Sequence, residues 1–207
     1  MRRLLTLWLA TLPGLAAPAD EPVDLVRGAD PAQFELVGIS PASIAIAEGE
    51  GEVCLTGKPL GYFATRQPHR DYELCFEYRY DRPEDLKSDA DFRGNGGVLL
   101  HVGGPPKVWP SCVQVQLAQA DPGALFAMGE ARCEVAPIDP RAQKAAVKPV
   151  GEWNRVRVTC RAASIAVALN GVEIARAEKV EPASGAIGWQ SEGKPIRFRE
   201  IRIARLP

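Results

Sequence analysis

Between Ser164 and Ala175 the chain alternates, first along Ser164-Ile165-Ala166-Val167-Ala168-Leu169 and again along Val172-Glu173-Ile174-Ala175, with Asn170-Gly171 between the two runs. Asn-Gly accepts the two left-handed backbone angles of a tight turn, so this stretch predicts a β-hairpin. The same period of two recurs upstream, where Tyr72, Leu74, Phe76 and Tyr78 fall on one face and Glu73, Cys75, Glu77 and Arg79 on the other. Further strands are predicted at 98–102 after Gly94-Asn95-Gly96-Gly97, at 156–160 after Trp153-Asn154, and at 185–190 and 196–203. In the last of these the apolar positions change phase between Phe198 and Ile201, which predicts a bulge. Helical periodicity is scarce, and short alternating segments bounded by Gly, Pro, Asn and Asp indicate an all-β sandwich. The charged stretch 81–93 and the Ala-, Pro- and charge-rich stretch 121–148 read as long loops framing one end or face of it.

The beginning of the chain is read separately from the fold. Met1-Arg2-Arg3 is followed by the apolar run 4–12, a Pro13-Gly14 break and the small residues Ala17-Pro18-Ala19. This is the pattern of a secretory signal peptide over 1–19, leaving 20–207 as a single domain. The run falls short of the roughly 20 residues a membrane helix needs, so the expectation is an exported protein, periplasmic or secreted, with no membrane span after cleavage. An uncleaved signal anchor is the alternative reading. The first cysteine is Cys54, so a lipid-anchored terminus is not indicated.

The formal net charge is −1, and without Arg2 and Arg3 the remainder is more acidic. No basic run or basic-aromatic stripe occurs, so nucleic acid is not an expected partner. Cys54, Cys75, Cys112, Cys133 and Cys160 allow up to two disulfides in an oxidising compartment. No C-x-x-C occurs, and His69 and His101 stand apart from the cysteines, so a closed zinc site is not indicated.

The chemistry concentrates in residues 108–117. There Cys112, Gln114 and Gln116 alternate with Val113, Val115 and Leu117, placing amides in a row on one face of a strand. Sugar hydroxyls must be met by paired donors and acceptors, which side-chain amides supply. The face reads as a carbohydrate-binding surface.

A set of motifs then occurs in a telling order: Gly57-Lys58-Pro59-Leu60-Gly61-Tyr62, Tyr72-Glu73-Leu74 with Tyr78-Arg79, Gly94-Asn95-Gly96-Gly97-Val98, Lys107-Val108-Trp109-Pro110, Gly151-Glu152-Trp153-Asn154, Leu169-Asn170-Gly171, and Gly185-Ala186-Ile187-Gly188 with Gln190-Ser191-Glu192-Gly193 and Phe198-Arg199-Glu200-Ile201. In this order, over about residues 35 to 206, the chain resembles the 3-keto-disaccharide hydrolase domain family, also known as DUF1080. The resemblance implies a two-sheet jelly-roll sandwich of the concanavalin A-like lectin/glucanase type. It also implies cleavage of glycosides already oxidised at C3 of the sugar. A ketone at C3 acidifies the hydrogen at C2, so a base can remove it while the group on C1 leaves, and water then adds back. Such a reaction needs a base, a proton donor and a means of stabilising the enolate. A hydroxyketone is also a bidentate metal ligand, so a divalent ion is a possible cofactor.

The chain departs from the family where a glutamate is usual and Gln114 stands, where an acidic Asp-Phe-aromatic step is usual and Ala124-Leu125-Phe126 stands, and where Asn-Ser-Gly is replaced by Asn95-Gly96-Gly97. An amide is no base near neutral pH. Glu77 and His101 are therefore the candidate proton-moving residues, and Arg79, Asn95, Trp109, Gln114 and Gln116 the candidate substrate-binding residues. For each a bland reading stands beside the functional one. Glu77 with Arg79 could be a surface pair, His101 a core histidine, Asn95 a turn residue and Trp109 a cover over the sandwich edge. Trp153 and Trp189 read as core, Asp89 and Asp91 as solvated, and Glu192 as a turn residue with a weaker claim to the site. The alternative functions are a non-catalytic carbohydrate-binding domain, which the missing glutamate at 114 favours, and a structural envelope protein with no sugar affinity.

Overall fold

The computed structural model describes residues 20–47 and 51–207, so the leader read at 1–19 lies outside the described residues. In chain order the strands are β1 (Val23–Asp24), β2 (Glu35–Val37), β3 (Ile44–Ile46), β4 (Val53–Leu55), β5 (Gly61–Ala64), β6 (Tyr72–Tyr80), β7 (Gly97–Gly103), β8 (Ser111–Gln116), β9 (Leu125–Met128) and β10 (Arg132–Val135). A short helix α1 (Pro140–Ala146) follows, then β11 (Asn154–Arg161), β12 (Ser164–Leu169), β13 (Val172–Glu181), β14 (Ala186–Ser191) and β15 (Ile196–Arg205). They form two antiparallel sheets. The larger runs β10-β13-β12-β11-β6-β15-β4-β3, with β1 on β15, and the smaller runs β2-β5-β14-β7-β8-β9. The chain passes repeatedly from one sheet to the other, giving the two-sheet jelly-roll sandwich expected.

Each sheet turns one face inward. From β6 come Tyr72, Leu74, Phe76, Tyr78 and Tyr80, from β8 Val113 and Val115, and just past it Leu117, all joining one buried cluster. Trp189 is fully buried as expected and stacks on Phe63 at 5.0 Å between ring centroids. Burying side chains of this size contributes roughly 1.5–3 kcal/mol each, which is what holds the sheets together. The residues between them along each strand face outward, so the sandwich has two exteriors, one per sheet.

The hairpin forms where expected, with Asn170 at φ 48° and Gly171 at φ 91°. The phase change in β15 is also real: its register on β6 shifts between Arg199 and Arg202, with Glu200 in the left-handed region at φ 53°.

The stretch 121–148 is not the plain loop that its composition suggests, because it contains β9, β10 and α1. Each holds only about two periods of its pattern, too few to stand out. Helix α1 is started by Pro140 in its first turn and by Asp139, whose carboxylate accepts from the Arg141 N–H at 2.8 Å. The stretch 81–93 is a loop, and Asp89 is not simply solvated. Its carboxylate pairs with Arg82 and accepts from the Val150 N–H at 2.9 Å, contacts that hold its pKa below the usual carboxylate value. All five cysteines are free thiols, so the permitted disulfides do not form. Among the described residues no helix is long and apolar enough to cross a membrane.

Candidate functional site

The outward face of the smaller sheet is where the polar pattern of β8 emerges. Val98 pairs with Trp189 on one side and Val115 on the other, so one step along, Gln190, Gly97 and Gln116 stand side by side, with Tyr62 beyond them on β5. The adjacent row is Gly188, Leu99, Gln114 and Phe126. Gly97 is the gap that lets the amides meet. A Cβ there would stand 2.6 Å from Gln190 Oε1 and 2.8 Å from Gln114 Nε2. Gln114 donates from Nε2 to Gln116 Oε1 at 3.2 Å, and that oxygen also accepts from the Leu117 N–H at 3.1 Å.

The amide of Gln190 is 1% exposed, yet neither its nitrogen nor its oxygen has a protein partner. Leaving such a group unpaired costs roughly 1–3 kcal/mol, so it calls for a partner outside the protein's own hydrogen bonds. Asn95 Oδ1 is buried and unpartnered in the same way. Asn95 leads into β7 and bridges to Gly193, which brings it beside Glu192 just past the end of β14. The Asn95 amide hydrogen-bonds the Glu192 carboxyl, while desolvation by burial, the larger effect, raises that carboxyl above its ordinary value. A second carboxylate on this exterior, Glu35, lies near Tyr62 on the edge strand β2.

Two aromatics flank the amides. Phe126, 43% exposed, is paired directly with Gln114 and offers an apolar platform against which the C–H face of a sugar ring can lie. Trp109 is equally exposed, in the β7–β8 loop. Its neighbour Val108 reaches to 2.8 Å from where a Cβ of Gly38 would stand, so this loop folds back toward β2 and walls the face.

The expected site residues therefore divide. Gln114, Gln116 and Asn95 come together, and Trp109 stands in the bounding loop. Glu77 and Arg79 do not join them. They alternate with the core residues of β6 and emerge on the exterior of the larger sheet, on the far side of the sandwich. There Arg199 Nε donates to Glu77 Oε2 at 2.7 Å, and Trp153, expected in the core, instead lies half-buried beneath Arg79 and Arg199 at 4.8 and 4.1 Å. The partner of Glu77 is Arg199, not Arg79.

His101 is also unsuited to the role expected of it. A left-handed backbone, φ 57°, turns it into the end of the sandwich, where it is 1% exposed. Its Nδ1 lies 3.0 Å from the Pro182 carbonyl oxygen, and Tyr72 packs edge-on at 5.9 Å. Burial lowers its basicity, the bond to Pro182 opposing in part. It is a core histidine.

The residues that sequence reasoning left out of the site are Gln190 and Phe126, and Glu192, read first as a turn residue, belongs nearer to it than that reading held. Gln190 could have been found from the alternation of Gly188, Trp189 and Gln190, which places it opposite Trp189, on the exterior. Its place beside Gly97 could not, because strand pairing decides it.

A resident divalent ion does not fit this face. Among the described residues no group of three or more His, Cys, Asp or Glu is placed to hold a metal. Here the cluster offers the Glu192 carboxylate and neutral amides, and carbonyl oxygens bind such ions less strongly than carboxylates.

The chain is similar in fold to two proteins from Parabacteroides distasonis known as putative glycosyl hydrolases. One is 20% identical with a TM-score of 0.61, covering 84% of this chain and 94% of that one, and the other is 16% identical with a TM-score of 0.62, covering 88% and 93%. A galectin-like protein of unknown function from Bacillus subtilis matches at 9% identity and a TM-score of 0.52, over 93% of this chain and 99% of its own. No curated protein matches the chain. The model of the 3-keto-alpha-glucoside-1,2-lyase-like domain matches residues 27–204. Taken with the sandwich and its amide-lined exterior, that match shows that the chain belongs to the 3-keto-alpha-glucoside-1,2-lyase-like domain family.

Proposed function

We propose that this protein cleaves 3-keto-glycosides on the exterior of its smaller sheet, with Glu192 moving the proton. The observation that carries the reading is the buried Gln190 amide without a partner, set among Gln114, Gln116, Asn95 and a half-buried carboxylate. The amides orient the sugar, and Phe126 supports its ring. Glu192 takes the hydrogen from C2 as a proton, and the electrons of that bond spread toward the C3 oxygen, where amide N–H groups stabilise the charge. The C1–O bond then breaks as a C1–C2 double bond forms, and the Glu192 carboxylic acid returns its proton to the leaving oxygen. Water completes the cycle by adding its oxygen to C1 and a hydrogen to C2.

The test uses a chromogenic 3-keto-glucoside and its unoxidised counterpart, each with and without chelator. Release from the keto sugar alone is expected, insensitive to chelator. Glu192→Gln should lower kcat about 100- to 10,000-fold, the usual scale for losing a general base. Because the base must be ionised, kcat/KM in the unmodified protein should fall in acid at a pH above the ordinary carboxylate range. Unchanged turnover in Glu192→Gln would remove this residue from the mechanism.

A second reading, a non-catalytic sugar-binding domain, is favoured by Gln114 standing where relatives usually carry glutamate. It predicts binding without release, and activity appearing in Gln114→Glu. We further propose export directed by residues 1–19. Amino-terminal sequencing of protein from the producing cell should then begin at Asp20, and an uncut Met1 terminus would overturn it.

A further inference from the structure

We propose that the exterior of the larger sheet, on the far side from the amide cluster, holds a second saccharide site for a uronic acid unit. Its centre is a cavity of about 510 Å³ between β6, β11 and the bulged part of β15, within the range of small-molecule sites. A groove of about 370 Å³ continues it along β11, sharing Cys75 and Arg155. The bulge shapes the cavity: with Glu200 left-handed, β15 spends three residues where β6 spends two, so Arg202, opposite Cys75, emerges on the same exterior as Arg199, opposite Glu77.

The charges here are matched except in one place. Arg197 binds Asp81 and Glu52, Arg199 binds Glu77, and Arg202 pairs with Glu200. Arg155 and Arg157 stand two apart on β11, beside Glu77 and Cys75 of β6, and make no ion pair among the described residues. Glu73, the remaining carboxylate of the groove, accepts from the Cys75 thiol at 3.8 Å. Two exposed guanidiniums, Arg155 lining both cavity and groove and Arg157 lining the groove, thus stand beside carboxylates that are already engaged. A guanidinium receives a carboxylate through two parallel N–H bonds. The engaged carboxylates keep lone pairs for hydroxyl donors. A carboxylate together with hydroxyls is what a uronic acid presents. An acidic protein partner is disfavoured because no exposed large apolar side chain lies on β6, β11 or β15 to anchor it.

The site does not depend on the reaction proposed above, since none of its residues lies on the smaller sheet. The probes are free glucuronate, polygalacturonate, neutral dextran and poly-glutamate, titrated calorimetrically against the full chain. Binding of polygalacturonate is expected, weakening as salt is raised. It should fall at least tenfold in Arg155→Glu/Arg157→Glu and remain in Arg176→Glu, an exposed arginine of the same sheet. Binding of glucuronate as well assigns the cavity to single units; polymer binding alone assigns it to a chain lying along cavity and groove. If the double variant melts early, Arg155→Ala replaces it, with a loss of several-fold expected. Equal binding by the variants, or equal binding of dextran, would overturn the site. Poly-glutamate bound as tightly as polygalacturonate would overturn it in favour of an acidic protein partner.

Discussion

At the scale of single residues, the site depends on an atom that is missing. Gly97 has no Cβ, and the Gln114 and Gln190 amides occupy the space one would take. Gln114 is met at Cγ as well as at its amide nitrogen, both at 2.8 Å, and both glutamines are buried, so Gly97→Ala must displace packed side chains and should lower the melting temperature. It should also disturb the hydrogen bonds offered to a sugar. Loss of one such bond, about 1 kcal/mol, corresponds to a several-fold rise in KM or Kd; calorimetry or steady-state kinetics beside a thermal melt checks both. Gln114 and Gln116 were legible as outward-facing amides because side-chain direction in a strand follows position alone. Glu77, Arg79 and His101 were misplaced for the complementary reason. Alternation says that Glu77 leaves the core, but not from which side of a sandwich, and no period describes a histidine whose backbone is left-handed. Trp153 failed similarly, since its apolar neighbours belong to the next strand and its own ring meets two cations on the surface.

At the scale of elements, the β11–β12–β13 meander is secured at one turn. The Asn170 side chain accepts from the Arg155 N–H and donates to Asn154 Oδ1 and to the Ala146 carbonyl oxygen, each at 2.8 Å, so one amide joins two strands and the end of α1. Asn170→Ala loses these contacts and keeps a positive φ that alanine disfavours. At about 1 kcal/mol per bond it should cost about 2–4 kcal/mol, read as a lower urea midpoint with the slope unchanged. An undiminished midpoint would show that the turn alone, not its side chain, matters. The turn itself was evident from Asn170-Gly171, and the β15 bulge from its change of phase. Strands β9 and β10 and helix α1 were not, because elements of four to seven residues carry only about two periods, too few to stand out from Ala-, Pro- and charge-rich surroundings.

At the scale of the whole molecule, both histidines pack edge-on with Tyr72, at 6.0 Å for His69 and 5.9 Å for His101. Burial lowers the basicity of each below its ordinary value of 6.5, with Asp71 opposing at His101. Near that pH the unfolded chain binds more protons than the folded one, so stability rises with pH there. It should be full above about 6.5 and decline as pH falls below it, through the depressed folded values. Thermal melts across this interval should show the decline, and His101→Asn, which suits a left-handed backbone, should flatten it; an equal slope would place the loss elsewhere. The sequence by itself determined the β class, the hairpin, the bulge and which side chains leave the core, because these follow from local periods and turn chemistry. Only the tertiary structure decided which outward side chains share an exterior. Strands far apart in the chain pair by matching their buried faces, and that pairing sets Gln190 and Glu192 beside Gln116 and Asn95 while sending Glu77 and Arg79 to the opposite side.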